Sequence, residues 1–452
     1  MKNTKISRML SLALAGVMTF SLMACGNGAG SGSGGNAQGT EAGSGGEAAK
    51  AGGSIKIFGW GNGDQMEAYK KIVKMFNETN ENGIKASIEV VPSSDYTTKL
   101  NAMIAAGNAP DVLMQSGDFG GFYYRNGNFE NLTPYIERDG IDIAEVLNPG
   151  IDAGTVWDDN FREALPFSGD AMAIAYNKNY FDEKGVPYPT DDWTWEEFVA
   201  TCEKLTSGEG ESKDYAISYH WALPSYATFM EGGKLYDLSA QPPVMMANDP
   251  KTIKGMEKII GLMRDGLMAD SVAAKSMPAE QRFFAGRCAM MYFFSWDVIN
   301  FVDSIGDSFE WGAVRLPKND SGLHTSLLYS TGYAMNTASK NKDGAWEFIK
   351  YACLGEDAER EIMKLSVPVL QSLTEEYGGQ VIAKTEIKQK IFMDSMENSS
   401  VSPMGGSFNE LGDVFNTAWN SMTAEGEDVK TAMEKLQQDG QPVLDKLTTP
   451  SK

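Results

Sequence analysis

The sequence places one ionisable residue, Asp170, directly ahead of an apolar run. The run extends to Tyr176; Pro166 and Gly169 precede it, and Asn177-Lys178-Asn179 closes it. A short apolar run between turn-forming residues predicts a buried strand rather than a helix. A carboxylate at the start of a core strand is either satisfied by hydrogen-bond donors or directed into a cleft. We expect Asp170 to line a cleft.

Aromatic and amide side chains occur in segments that follow predicted strands or contain turn residues. Trp60 and Asn62 lie in a glycine-rich segment after a short apolar run. Trp221 and Tyr226 flank a proline in a segment that suits an irregular cleft wall better than a helix or strand. Aromatic rings cover the weakly apolar C–H face of a sugar ring, while carboxylates and amides hydrogen-bond its hydroxyl groups. No basic cluster accompanies these residues. Their types favour a neutral polyhydroxyl ligand over a phosphate or carboxylate.

The start of the chain alternates between strand and helix patterns. Segments between the predicted strands carry apolar residues at helical spacing. This alternation predicts a parallel sheet with right-handed crossovers, an α/β fold. Ligands bind beyond the carboxyl ends of strands in such sheets, so the loops at 59–64 and 115–118 should face a ligand. The predicted strands are residues 55–58, 84–91 and 111–114.

Several motifs further along the chain resemble those of one protein family. They are Leu165-Pro166, Tyr176-Asn177-Lys178, Phe181 and Thr194-Trp195-Glu196-Glu197-Phe198. Together they resemble the interlobe crossover of extracellular solute-binding proteins, the sugar-capturing subunits of ATP-binding-cassette (ABC) importers of the maltose-binding-protein type. The resemblance covers nearly the whole mature chain. It implies a two-lobed, periplasmic-binding-protein-like α/β fold with three interlobe crossovers and a ligand cleft between the lobes.

The resemblance also implies a function and further site residues. The implied function is capture of a sugar or oligosaccharide by hinge closure and delivery to an ABC permease, without catalysis. Asp118 takes a ligand-contact position after the family-like segment 109–112, and Trp296 takes the place of a loop tryptophan that stacks on ligand. Tyr329 is assigned to the cleft or to hinge packing. The complete predicted ligand-binding set is Trp60, Asn62, Asp118, Asp170, Trp221, Tyr226, Trp296 and Tyr329.

The family-like crossovers predict where the lobes begin and end. The first crossing follows Leu165-Pro166, the second is the return to the first lobe at residues 327–334, and the third is Val367-Pro368-Val369-Leu370. The first lobe is expected to comprise residues 54–168 and 329–367, and the second lobe residues 169–328 and 368–452. Thr194 and Glu197 predict a capping box at the start of a helix. Three tryptophans lie on apolar faces of predicted helices and are expected in the core rather than in the cleft. These are Trp195, Trp346 and Trp419.

The N-terminal segment has the layout of a secretory signal. Basic residues precede an apolar stretch at 9–24, and Leu22-Met23-Ala24-Cys25 resembles a bacterial lipobox. We expect removal of residues 1–24 and diacylglyceryl modification of Cys25; the alternative is an ordinary signal peptide with a chance cysteine. Residues 25–53 are rich in Gly, Ser and Ala, which predicts a flexible tether. The expected product is a lipid-anchored monomer on the extracellular face of the cell membrane.

Composition excludes several other classes of function. The formal net charge of -22 disfavours nucleic acid as a partner. Only two histidines occur, and no cysteine pair has CxxC spacing, so we expect neither a metal site nor a cofactor. Cys202, Cys288 and Cys353 are expected to be buried thiols, although one disulfide among them is compatible with the sequence.

Two alternatives to sugar capture remain open at this point. The same fold could bind a polyamine, a peptide or a metal chelate, because acidic cleft residues tolerate a cation. A surface glycoside hydrolase or lyase would need two suitably spaced carboxylates, and Asp118 and Asp170 are the candidates. No motif resembling a glycosidase site accompanies them.

Overall fold

The computed structural model describes residues 52–116, 120–152, 161–237, 240, 242–269, 277–401 and 409–448. The predicted signal segment, the lipidation site Cys25 and the ligand-binding candidate Asp118 lie outside these described residues. Within them, none of the helices is both long enough and apolar enough to cross a membrane.

The described strands form one nine-stranded mixed sheet and a small hairpin of β6 and β7. They are β1 (Gly53–Trp60), β2 (Ile84–Val91), β3 (Val112–Ser116), β4 (Ala164–Asn177), β5 (Tyr215–Ser218), β6 (Tyr236–Asp237), β7 (Val244–Met245), β8 (Cys288–Phe294), β9 (Trp311–Val314), β10 (Leu327–Met335) and β11 (Ser400–Val401).

Helices cover the sheet and form much of the second half of the chain. They are α1 (Asp64–Thr79), α2 (Ser93–Ala105), α3 (Gly120–Arg125), α4 (Thr133–Asp139), α5 (Ile143–Val146), α6 (Pro149–Asp152), α7 (Lys178–Lys184), α8 (Trp195–Leu205), α9 (Leu223–Phe229), α10 (Pro250–Arg264), α11 (Ala279–Phe284), α12 (Val298–Ile305), α13 (Lys342–Leu354), α14 (Glu356–Ile362), α15 (Thr374–Gly379), α16 (Lys390–Ser395), α17 (Asn409–Ala424) and α18 (Val429–Thr448). Short 3₁₀ turns occur at Gly210–Ser212, Ser295–Asp297 and Gln371–Leu373.

The strand order of the sheet is β2-β1-β3-β10-β4-β8-β5, with β9 beside β4 and β11 beside β10. β1 pairs in parallel with β2 and β3, as the alternation of strands and helices predicts. β10 runs antiparallel to both β3 and β4, and β4 runs antiparallel to β8. We call the part around β1, β2 and β3 the first lobe and the part around β5, β8 and β9 the second lobe.

Strand β4 links the two lobes. All fourteen of its residues are buried, which agrees with the apolar composition of the run after Asp170. Its start pairs with β10 and its end with β8 and β9. The third crossing touches it as well, since the backbones of Gly169 and Val367 exchange two hydrogen bonds of 3.0 Å. The two lobes therefore meet along continuous, paired backbone.

Glycine is required where β10 crosses between the lobes. The β10–β4 register shifts between Thr331 and Gly332. A Cβ atom at Gly332 would lie 2.4 Å from the carbonyl oxygen of Leu165, which is fixed backbone. Only a residue without a side chain lets the two crossing strands approach this closely.

The helical predictions are confirmed in several places and wrong in one. Thr194 and Glu197 form a capping box at the start of α8, and Trp195, Trp346 and Trp419 are buried. The interpretation of the segment around Tyr226 as irregular is wrong for Leu223–Phe229, which is a buried helix. Proline is tolerated there because it occupies the first turn, where a backbone N–H has no helical partner.

The cysteine prediction is also confirmed for the three residues that the structure describes. Cys202, Cys288 and Cys353 are buried free thiols, and burial raises the pKa of Cys288 to about 12. The residue limits of the lobes stay a prediction. Val369, Leu370 and Leu373 pack in the same hydrophobic cluster as the core of β1 and β3.

Candidate functional site

A cavity of about 640 Å³ lies where the carboxyl ends of β1, β2 and β3 face the crossing strands and the second lobe. Its position agrees with the rule that ligands of such sheets bind beyond the strand ends. Its lining combines hydroxyl, amide, carboxyl and aromatic side chains, without Lys, Arg or His among the described residues. The lining residues are Trp60, Asn62, Gln65, Tyr69, Ser93, Tyr96, Thr97, Ser116, Ser168, Asp170, Trp221, Trp296, Asp297, Tyr329, Thr331 and Ser366.

The first-lobe side of the cavity is built from strand ends and the helix starts that follow them. Trp60 ends β1 and packs edge-on against Tyr96, with ring centroids 4.8 Å apart. The Tyr96 hydroxyl donates a hydrogen bond of 2.5 Å to the carbonyl oxygen of Met114. The Asn62 backbone N–H donates to Gln65 Oε1 at 3.1 Å, while its own side chain is exposed. This side therefore presents the Trp60 indole, packed against Tyr96, whose hydroxyl is held by a hydrogen bond.

The second-lobe side is a wall of aromatic rings on a buried phenylalanine. Trp296 stacks on Phe294 with centroids 4.2 Å apart and planes 13° from parallel. Trp221 lies nearly parallel to the same ring, at 6.5 Å and 22°. Tyr329 contacts both indoles edge-on or tilted, at 5.5 and 5.7 Å. Trp221 is 60% exposed, so much of its ring is available to a ligand.

Two carboxyl groups line the cavity near its hinge end. Asp170 is buried, and burial raises its pKa to about 7. Hydrogen bonds from Ser295, Ser366 and the Trp296 backbone lower the pKa, but burial has the larger effect. Burial also raises the pKa of Asp297 to about 7, against a hydrogen bond of 2.9 Å from the Phe294 N–H. Each carboxyl therefore changes charge near neutral pH.

A histidine lies just behind the aromatic wall and stays neutral. His220 is buried against Trp221 and Phe294. Burial lowers its pKa to about 3, and its Nδ1 accepts a hydrogen bond of 3.1 Å from the Ala222 N–H. It therefore places no positive charge beside the cavity at neutral pH. Among the described residues, no group of three or more His, Cys, Asp or Glu side chains could hold a metal ion.

The structure brings six of the predicted ligand-binding residues to this one cavity and keeps one away from it. Tyr226 is 1% exposed in the second-lobe core, with its hydroxyl near Thr325, and does not line the cavity. The helical conformation of α9 turns this ring inward. Asp118 lies outside the described residues. The six that line the cavity are Trp60, Asn62, Asp170, Trp221, Trp296 and Tyr329.

Sequence reasoning missed most of the hydroxyl groups. Ser93 and Thr97 follow the carboxyl end of β2, so the same topological rule that selected Trp60 could have found them. Asp297 lies one residue after Trp296, so its position in the sequence could have identified it as well. Ser366 reaches the cavity only because the third crossing passes Gly169, and no local signal marks it.

The fold and the cavity together define a two-lobed binding protein with its cleft at the crossing strands. A sequence profile described as "Bacterial extracellular solute-binding protein" matches residues 60–353. The chain belongs to this family, as the motifs around β4 imply.

Relatives and solved structures agree with this assignment. The chain is 26% identical over 309 residues to an erythritol/L-threitol-binding protein of Mycolicibacterium smegmatis, a match that spans 64% of each protein. It is 22% identical over 380 residues to a galactooligosaccharide-binding protein of Bacillus subtilis, covering 83% of this chain and 86% of the relative. An ABC substrate-binding protein of Listeria monocytogenes, solved with cycloalternan, is similar in fold with a TM-score of 0.74 at 21% identity, covering 86% and 98% of the two chains.

Proposed function

We propose that this protein is the substrate-binding component of an ABC importer and captures a neutral sugar or short oligosaccharide in the cavity. The observation that carries the proposal is the lining itself: packed aromatic rings on the second-lobe side, Trp60 with hydroxyl and amide groups on the first-lobe side, and no cationic side chain among the described lining residues. Aromatic faces cover the C–H surface of a sugar, and the polar side bonds its hydroxyl groups. The names of the relatives, which bind tetritols and galactooligosaccharides, support the same ligand class.

The placement of these groups supports capture of a ligand by hinge closure. A ligand closes a hinge only if it gains contacts in the closed state that the open state lacks. Trp60 and Trp296 come from opposite lobes, so a ligand between them gains from closure. The protein then delivers the unaltered ligand to a membrane permease.

A thermal-shift screen of the chain from residue 26 onward tests this function. The panel contains erythritol, galactooligosaccharides and cyclic glucans, with amino acids as controls. A bound ligand at a hundredfold excess over its dissociation constant stabilises the folded state by about 2.7 kcal/mol. We expect one sugar class to raise the melting temperature and to be recovered chemically intact. A hydrolysed product would contradict binding without catalysis.

A cationic solute is the second candidate ligand, and the carboxyl pair favours it. Asp170 and Asp297 lie in the same cavity, and no described lining residue carries a compensating positive charge. Spermidine and putrescine in the same screen separate the two candidates. Stabilisation by a polyamine, together with no response to any sugar, would replace the carbohydrate assignment.

We also propose that the protein is anchored by lipid at Cys25, outside the described residues. The support is the lipobox-like Leu22-Met23-Ala24-Cys25. Expression in a bacterium with a fatty-acid label should give a labelled, membrane-associated protein. Cys25→Ser should abolish the label and release the protein, and a labelled Cys25→Ser variant would contradict the anchor.

A further inference from the structure

Asp170 occupies the point where the interlobe crossings meet. Its neighbour Gly169 exchanges backbone hydrogen bonds with Val367 of the third crossing. Its register partner on β10 is Tyr329, which belongs to the second crossing. Asp170 itself belongs to β4, the first crossing. A side chain at this position can link segments that move relative to each other when a hinge opens.

The Asp170 carboxylate is occupied by protein donors. Ser295 Oγ donates to Asp170 Oδ1 at 2.5 Å. The backbone N–H of Trp296 and the hydroxyl of Ser366 are further donors whose interaction with this carboxyl lowers its pKa. Asp170, Ser295 and Ser366 are 4%, 3% and 7% exposed. Because a carboxylate has about four acceptor sites, three buried donors use most of its capacity.

These donors come from two different places. Ser295 and Trp296 belong to the 3₁₀ turn Ser295–Asp297, which follows β8 in the second lobe. Ser366 belongs to the third crossing, next to the backbone bridge at Val367. The carboxylate thus joins the turn that carries the Trp296 ring to the crossing segment of the hinge.

A second carboxylate, that of Asp297, forms a hydrogen bond within the turn and its flanking residue. Asp297 accepts from the Phe294 N–H at 2.9 Å and closes the turn on itself. The Trp296 ring stacks on Phe294. These contacts hold the ring to its own lobe, whereas Asp170 holds it to the hinge.

We propose that Asp170 is a positioning residue that fixes the Trp296 turn to the hinge, so that the orientation of this ring is coupled to the crossing segments. Its principal partners are protein groups rather than ligand hydroxyls. The inference rests on the proposed function only in treating Trp296 as a surface for ligand. The geometric claim about the ring stands without any ligand.

A ligand-free ¹⁹F NMR experiment tests the link. The protein is labelled with 5-fluorotryptophan, and Trp296→Phe identifies the Trp296 resonance among the nine tryptophans. In Asp170→Ala we expect this resonance to shift by more than its line width or to broaden. The resonances of the core residues Trp346 and Trp419 should stay in place. Because the measurement needs no sugar, it is independent of the outcome of the ligand screen.

Two further variants make the test specific. Asp170→Asn keeps an acceptor oxygen for the turn, so it should restore the wild-type resonance at least in part. Glu359→Gln is the matched control, since Glu359 is another fully buried carboxyl near the third crossing, whose Oε2 accepts from the Val369 N–H at 3.1 Å. It should leave the Trp296 resonance unchanged.

The proposal is overturned by either of two results. One is a Trp296 resonance that is unchanged in a folded Asp170→Ala protein. The other is an equal perturbation by Glu359→Gln, which would indicate a general effect of buried carboxyls. If Asp170→Ala does not fold, Ser295→Ala and Ser366→Ala each remove one donor, and an unchanged resonance in both would overturn the proposal.

Discussion

The two sides of the cavity differ in how they are built. The first-lobe side consists of residues at strand ends and helix starts, such as Asn62, Ser93 and Thr97, held by the backbone of the parallel sheet. The second-lobe side consists of Trp221, Trp296 and Tyr329, held by one another and by Phe294. Secondary structure thus fixes the hydrogen-bonding groups of the first-lobe side. Ring packing fixes the apolar surface that the second-lobe side offers to a ligand. We expect the first to set ligand selectivity and the second to set most of the affinity.

The largest contrast between the sides is electrostatic. Burial raises the pKa of Asp170 and Asp297, which lie at the hinge and on the second-lobe side, to about 7. The titratable first-lobe lining residues Tyr69 and Tyr96 have pKa values raised above 10. Among the described lining residues, only the carboxyl pair changes charge between pH 4 and pH 8.

The sign of the resulting stability change follows from proton linkage. An acid with a raised folded pKa binds its proton more tightly in the native state. Its contribution is therefore present below the unfolded pKa and lost as pH rises through about 7. We expect each of the two carboxyls to lower the free energy of unfolding by on the order of 4 kcal/mol between pH 4 and pH 8.

Urea unfolding of wild type and of Asp170→Asn/Asp297→Asn across this pH range measures the effect. His220 and Glu359 also have shifted pKa values, but both proteins contain them. The difference between the two pH profiles therefore isolates the carboxyl pair. Parallel profiles would contradict the assignment.

Truncation of the aromatic side should have the next largest effect. Trp296→Ala should weaken sugar binding by about 2–4 kcal/mol, because a central aromatic contact is lost. Trp60→Ala should weaken it by about 1–2 kcal/mol, because Trp60 lies on the side where hydroxyl and amide groups share the contacts with the ligand. Calorimetry measures both affinities. Trp346→Phe, in the buried core, is the control that should alter stability and leave affinity unchanged. Equal losses from Trp60→Ala and Trp296→Ala would remove the distinction between the sides.

A change at the crossing should disturb both sides together. The Cβ atom of Gly332→Ala would meet the Leu165 carbonyl oxygen at 2.4 Å, and we expect a loss of about 2 kcal/mol in unfolding free energy from the forced backbone shift. Gly412→Ala in helix α17 is the matched control, since nothing lies within 4 Å of its added Cβ. It should stabilise the protein by about 0.5–1 kcal/mol. Similar values from chemical denaturation of the two variants would contradict the close approach.

The smallest expected effect tests selectivity on the polar side. Thr97→Val removes one lining hydroxyl and keeps the side-chain shape, so affinity should fall by about 0.5–1.5 kcal/mol. The loss should disappear for a ligand analogue that lacks the hydroxyl group bonded by Thr97. Thr417→Val, outside this cavity, controls for a general effect of the substitution. A uniform loss across all deoxy analogues would argue against directional recognition by this side.

Local patterns in the sequence predicted most of the fold and part of the site. The sequence predicts Trp60 as a cavity residue because the ends of parallel strands face the ligand. It predicts β4 because an apolar run is bounded by turn residues. Tyr226 was misplaced because a proline between aromatics resembles a loop, whereas Leu223–Phe229 buries all its residues as a helix. Ser366 and Thr331 reach the cavity through strand crossings distant in sequence, so no local pattern marks them. The stacking of Trp221 and Trp296 on one buried phenylalanine is likewise a tertiary contact, which local sequence patterns do not predict.

The position of β10 in the sheet has a consequence for the order of folding. β3 is made early, yet its second neighbour comes from residues 327–335, after most of the second lobe. At about 5–20 residues per second, synthesis leaves that edge of β3 without its partner for roughly 10 to 40 s. Such long-range pairing slows folding as well. The sheet of the first lobe therefore gains its link to β10 only after most of the second lobe has been synthesised.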